Sequence, residues 1–283
     1  PTQILAGEYE LTEEQESACD ELAWRTQEHD VEIVSCKDDE FVHLFGSIVS
    51  PPKWVFFRWN RDLLLRPMLA IVWPRKPSVY ARDDMQDVYK EITNYAVVTS
   101  SWWAPGIDML AHTLSLQNDI PTIVVLWAGL KYAMTYDRSH FLQKVIDQWW
   151  LVISEFGLNQ SPQKRTFPQR NRLIVWLSSV VFVPSAGMRS WTRISIDFAL
   201  QMHKHVYTVP ASIFDHGSEW TNFYIEQKRI RPLHHLWDRL ADYFPPIRSW
   251  NSEIKVDIEP WSLEETVYLS LIHISEPTRR HLI

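Results

Sequence analysis

The chain has 283 residues, 46% of them hydrophobic, and a formal net charge of −7. That length supports one large or two small domains with a real core; no apolar run reaches the roughly 18 residues a bilayer span needs, and no basic stretch leads into an apolar one at the N-terminus, so neither a membrane partner nor a signal peptide is expected. The acidic balance excludes a protein that coats polyanions through its overall charge, and two isolated cysteines, Cys19 and Cys36, make neither a disulfide framework nor a zinc site, which fits a cytoplasmic setting.

Residues 1–30 are polar and acidic, with a helix-like, solvated stretch at Leu11–Arg25. A short strand, Val31–Ser35, precedes a Pro51-Pro52 turn and the apolar run Val55–Phe57. From Leu69 the pattern changes. Short runs rich in β-branched residues (Leu69–Val72, Val97–Thr99, Thr122–Leu126, Leu151–Ile153, Val180–Val183, Val206–Val209) alternate with helix-length stretches (Tyr80–Asn94, Ile107–Gln117, Ser139–Gln148, Asn171–Leu177, Thr192–His203). This alternation predicts an α/β fold over residues 31–230: an extended Rossmann-like parallel sheet covered on both faces. Ligands of such sheets bind at the carboxyl ends of the strands. Residues 231–262, rich in Pro, Trp and charge, read as a linker, and 263–283 as the start of a C-terminal module too short to complete.

Four strand-to-helix junctions stand out: Ile71-Val72-Trp73-Pro74-Arg75-Lys76-Pro77-Ser78; Ser100-Ser101-Trp102-Trp103-Ala104-Pro105-Gly106-Ile107-Asp108 with Ala111-His112; Ser154-Glu155-Phe156 followed by Lys164 to Ile174; and Ser185-Ala186-Gly187-Met188-Arg189-Ser190, running on to Val209–Ile213 and Gly217–Asn222. Within the third, Lys164, Arg165, Arg170 and Arg172 come with no acid and with Phe167 among them. Such a run is a solvated loop, or a surface on which cations hold phosphates while the ring stacks on an unpaired base. Arg170, Asn171 and Arg172 open a helix, where backbone N–H groups favour anions; the other reading has Asn171 and Arg172 bracing the loop through hydrogen bonds. Arg189 and Ser190 follow a strand and suit phosphate contact and a structural role equally. Asp108 and His112, four apart on one helix face, read as helix or core braces rather than an acid–base pair. The histidines at 203, 205, 234 and 235 have no partners at metal spacing.

In their order and spacing these segments resemble the signature of the DprA/Smf family of bacterial DNA-processing proteins: G-S-R-x-P-S, S-G-x-A-x-G-I-D-x-x-A-H, S-E-x followed by F-P-x-R-N-R-x-I, E-A-G-x-x-S-G, V-P-G-S-I and G-T-N. The resemblance covers residues 31–230. It implies a non-catalytic Rossmann-like module, with no cofactor, that binds and protects single-stranded DNA and promotes loading of RecA recombinase in homologous recombination and natural transformation, as a homodimer. It also implies DNA contact by Arg75, Lys164 and Phe167, and it makes Leu263–Tyr268 the start of a winged-helix domain. A rival reading is an enzyme of the nucleotide phosphoribohydrolase type. Its P-G-G-x-G-T-x-x-E signature is approached only by the separate segments Val209–Ser212 and Gly217–Asn222, without paired glycines or the glutamate.

The departures from the family pattern are specific. Pro74 stands for Ser, Pro184-Ser185 for Val-Glu and Ala211 for Gly. Trp59, Trp73, Trp102, Trp103, Trp127, Trp149, Trp150, Trp176, Trp191 and Trp220 stand where the family has glycine. The chain holds only 7 Gly against 15 Trp, where ordinary usage is about 7% Gly; a UGA codon read as glycine in the native host and as tryptophan in this translation produces that pattern. Leu269–Arg279 resembles a translated sequencing adapter and takes no part in the functional reading.

Overall fold

The computed structural model describes residues 31–247 apart from 47, 49, 73–78, 105, 136–138, 164–165, 189, 191 and 234–240. The expected helix at Leu11–Arg25 and the C-terminal remnant lie outside the described residues. Nine strands are described: β1 Val31–Ser35, β2 Trp54–Arg58, β3 Met68–Ile71, β4 Val98–Trp102, β5 Thr122–Val125, β6 Leu151–Ser154, β7 Val180–Phe182, β8 His205–Thr208 and β9 Arg231–Pro232. They form one sheet in the order β1-β2-β6-β5-β4-β3-β7-β8-β9. From β6 to β9 every pairing is parallel. β1 and β2 pair antiparallel, and β2 meets β6 antiparallel. The α/β Rossmann-like expectation is met, as a mixed, mostly parallel sheet.

The helices are α1 Asp39–Phe45, α2 Val79–Ile92, α3 Ile107–Gln117, α4 Leu130–Met134, α5 Ser139–Asp147, α6 Thr166–Leu177, α7 Thr192–Gln201 and α8 Glu219–Glu226. Successive side chains of β3 serve opposite layers. Met68, Ala70 and Val72 join one core cluster with Val124, Val152, Leu173 and Ile196; Leu69 and Ile71 join a second with Met85, Tyr89, Ile107, Phe182 and Phe244. Burial on both faces is why the central strands read as unbroken apolar runs. The second layer also holds a polar chain: the Tyr89 hydroxyl donates to the Ala111 carbonyl (2.7 Å) and meets Ser115 Oγ (3.0 Å), which meets Thr99 Oγ1 (2.7 Å).

Two boundaries differ from the sequence expectation. α6 starts at Thr166, five residues before Asn171. Pro168 falls in the first turn, where its missing N–H leaves no hydrogen bond unmade. The described part of 231–262 continues the domain past residue 230: β9 pairs with β8, Phe244 is buried, Ala96 N donates to Pro245 O (2.8 Å) and Ile247 N to Asn94 O (2.9 Å). A proline at a sheet edge needs no ladder donor, so its presence does not forbid a strand there.

Four helices end on a non-glycine residue in left-handed conformation: Asp119 after α3, Trp149 after α5, His203 after α7 and Lys228 after α8, with φ between 53° and 59°. After α5, Trp149 N donates to Ile146 O (2.9 Å) and Trp150 N to Val145 O (3.2 Å). This is the Schellman arrangement, whose left-handed slot favours glycine.

Candidate nucleic-acid interface

Strand order locates the crevice. β3 connects through α2 to β4 on one side, while β7 lies on its other side. β3 and β7 therefore flank a switch point in the strand order, and doubly wound folds bind ligands at the carboxyl edge of the sheet there. Residues 73–78 leave β3 and residues 183–191 leave β7. Arg75 sits in the first loop and Arg189 in the second, both outside the described residues.

The described part of the β7 loop is tied to the loop after β8. Trp220 N donates to Ala186 O (2.7 Å), and Trp220 Nε1 to Met188 O (2.8 Å). A Cβ on Gly187 would sit 2.7 Å from His216 O, so only glycine permits this approach. Asn222 braces the next turn, accepting from Ala211 N (3.4 Å) and donating to Ala211 O (3.2 Å). Ser190 Oγ donates to Thr192 Oγ1 (2.7 Å) and accepts from Thr192 N (3.1 Å), which satisfies an N–H of the first turn of α7. Ser185, buried just past β7, has a hydroxyl without a hydrogen-bond partner among the described residues.

α6 brings the basic segment to the same edge, because it returns the chain from β6 to β7 and packs on β3, β4 and β5. Lys164 and the side chains of Phe167 and Arg170 lie outside what is described. Asn171 and Arg172 are described, and both turn inward. Asn171 Nδ2 donates to Ser195 Oγ (3.0 Å), joining α6 to α7. Arg172 grips both oxygens of Glu155, Nη1 to Oε1 at 3.0 Å and Nη2 to Oε2 at 2.7 Å, while its Nε donates to Ser50 O (2.9 Å). Of the two readings left open for these residues, the geometry is that of bracing. Glu155 was visible in the Ser154-Glu155-Phe156 motif, but no local signal paired it with Arg172.

Asp108 and His112 are buried on α3. His112 Nε2 lies 3.2 Å from Trp102 O, a pure acceptor, so Nε2 carries the proton and Nδ1 faces the Thr122 hydroxyl at 2.9 Å. Burial disfavours the imidazolium and lowers the His112 pKa to about 4. Asp108 accepts from Ser101 Oγ (3.1 Å). Both brace the β4–α3 junction. Among the described residues, no group of three or more acidic, His or Cys side chains could hold a metal ion, and no helix is long and apolar enough to cross a membrane.

Residues 32–241 match the family model for DNA recombination-mediator protein A. The chain belongs to that family. It is 34% identical over 194 residues to the DNA processing protein DprA of Streptococcus pneumoniae, covering 68% of each chain. The X-ray structure of that DprA superposes with a TM-score of 0.67 at 31% identity, covering 75% of this chain and 74% of that one. A DprA structure from Helicobacter pylori, described for its single-stranded DNA binding mode, superposes with a TM-score of 0.65 at 25% identity, covering 75% of this chain and 97% of that one. These relatives bear the names of DNA-processing and recombination-mediator proteins, not of enzymes.

Proposed function

We propose that this recombination-mediator family member binds single-stranded DNA along the carboxyl edge of its sheet, protects it and promotes RecA loading, acting as a homodimer. The observation that carries the reading is the switch point between β3 and β7. In chain order, residues 73–78 with Arg75 follow β3, Arg189 and Ser190 follow β7, and α6, which holds Phe167 and Arg170 after Lys164, leads from β6 to β7. In this reading the cations hold phosphates and Phe167 stacks on a base, while Asn171 and Arg172 brace α6. The Helicobacter pylori relative, whose structure is described for its single-stranded DNA binding mode, supports the same ligand here.

The test is a titration of the purified chain against a single-stranded oligonucleotide and the matching duplex at fixed salt. Tighter binding of the single strand is expected, because one aromatic in a basic segment suits unpaired bases. Equal or tighter duplex binding overturns the reading. Steady release of a nucleobase from nucleotides would favour the phosphoribohydrolase alternative instead.

A further inference from the structure

The Arg172–Glu155 pair ties down α6 just past Phe167, and we propose that it is a positioning device, fixing the first turns of α6 so that Phe167 and its neighbouring cations meet single-stranded DNA in one geometry. This rests on the single-strand reading above. Arg172 is five residues beyond Phe167 in the same helix, so the rotation and height of Phe167 are set by whatever holds Arg172. Two distant segments hold the guanidinium among the described residues: two bonds reach Glu155, directly past β6, and one reaches the Ser50 carbonyl, before β2. A fork held on both prongs fixes its plane as well as its distance, which a lysine ammonium cannot do.

The Glu155 end is itself anchored. Ser154 Oγ donates to Ala128 O (2.8 Å), Gly129 N to Gln160 O (2.9 Å) and Tyr132 N to Leu158 O (3.1 Å). A Cβ on Gly129 would run into the carbonyls of Gly157 and Leu158, so the two loops are in backbone contact. The side chains of Arg172 and Glu155 are only 10% and 7% exposed. The pair therefore links α6 to the backbone-braced corner past β6 and is itself largely hidden from solvent.

The sign of one substitution separates this role from a direct contact. Were Arg172 a phosphate ligand, Glu155 would compete for it, and removing the carboxylate charge would strengthen DNA binding. For a positioning device, the same removal weakens binding, although it takes a negative charge away from the DNA side.

The experiment measures anisotropy of a labelled oligo-deoxythymidine with wild type, Glu155→Gln and Arg172→Lys over a salt series, well below the melting temperature of the least stable variant. Each variant is expected to lose roughly tenfold in affinity, the loss of about one well-made contact. The slope of log affinity against log salt should match wild type, because a lost phosphate contact would instead reduce it by about 0.7. Glu155→Gln is close to isosteric and leaves the Ser50 bond in place, so it decides the matter if Arg172→Lys does not fold. The proposal is overturned if Glu155→Gln binds as well as or better than wild type, if the Arg172→Lys slope falls by that amount, or if either variant melts lower yet binds fully when folded. Wild type that binds no single strand overturns the single-strand reading and this proposal together; wild type that binds while both variants bind equally overturns the positioning role alone.

Discussion

Arg172 and Glu155 form a buried two-point ion pair, 3.0 Å and 2.7 Å between nitrogen and oxygen, which joins α6 to the segment just past β6. Burying two charges gains little net stability, but breaking such a pair leaves one charge uncompensated. Arg172→Leu is therefore expected to destabilise by about 3–5 kcal/mol, while Arg172→Leu with Glu155→Leu recovers most of that loss. Urea unfolding of both variants checks this; a double mutant no more stable than the single one would show that the pair is not desolvated.

Arg75→Ala and Lys164→Ala should each weaken single-strand binding without lowering the melting temperature. Each removes a proposed phosphate contact and should reduce the salt slope by about 0.7. Unchanged affinity and slope in both variants would place the interface elsewhere.

Phe167→Ala should cost roughly 1–3 kcal/mol of single-strand affinity, the value of one base stack. The salt slope should hold, because stacking releases no counterions. Phe167→Tyr and Phe167→Trp should keep most of the affinity. If Phe167→Ala melts lower while Phe167→Leu binds fully, the ring is a core anchor and not a stacking surface.

Trp59 and Trp149 hold left-handed backbone, φ 76° and 59°, with their rings edge to face at 4.5 Å between centroids. A non-glycine residue forced into that region costs on the order of 1–3 kcal/mol, and the buried Trp59 indole nitrogen has no hydrogen-bond partner among the described residues. Trp149→Gly and the double change with Trp59→Gly should raise the melting temperature, because the strain relieved exceeds the roughly 0.5–1.5 kcal/mol of one ring pair. A thermal melt of the two variants decides; a lower melting temperature in both would mean that the indoles belong there, against the glycine reading of these positions.

His112 makes stability depend on pH. Its folded-state pKa, about 4, lies below the unfolded value near 6.5. Between these values the unfolded chain binds the extra proton, so the His112 contribution is intact above about pH 6.5 and is lost as pH falls towards 4, by up to about 1.4 kcal/mol per unit. His112→Gln can donate to Trp102 O and accept from Thr122, so it should keep the fold and flatten this part of the profile. Parallel unfolding curves for wild type and variant from pH 4 to 7 test it; identical slopes would exclude His112 as the group responsible.

Local sequence was enough for the strands and for the chemistry near them. The runs Met68–Ile71, Thr122–Val125 and Leu151–Ser154 are apolar throughout because both sheet faces are covered, and that composition is readable without a structure. The ordered motifs put Arg75 just past the Leu69–Val72 strand and the Lys164–Arg172 basic run around the opening of a helix, and they carried the family resemblance. The antiparallel entry of β1 and β2, the short helices α1, α4 and α8, and the continuation through β9 and Phe244 gave too little periodicity to read. The roles of the cations around α6 were also not local. Arg170 and Arg172 look alike in one basic run, yet Arg172 finds Glu155 17 residues away and Ser50 122 residues away. A helix repeat states which residues share a face, but which face is buried, and which charge must therefore find a partner, is settled only when the sheet closes beneath it: desolvation makes an unpaired guanidinium too costly there.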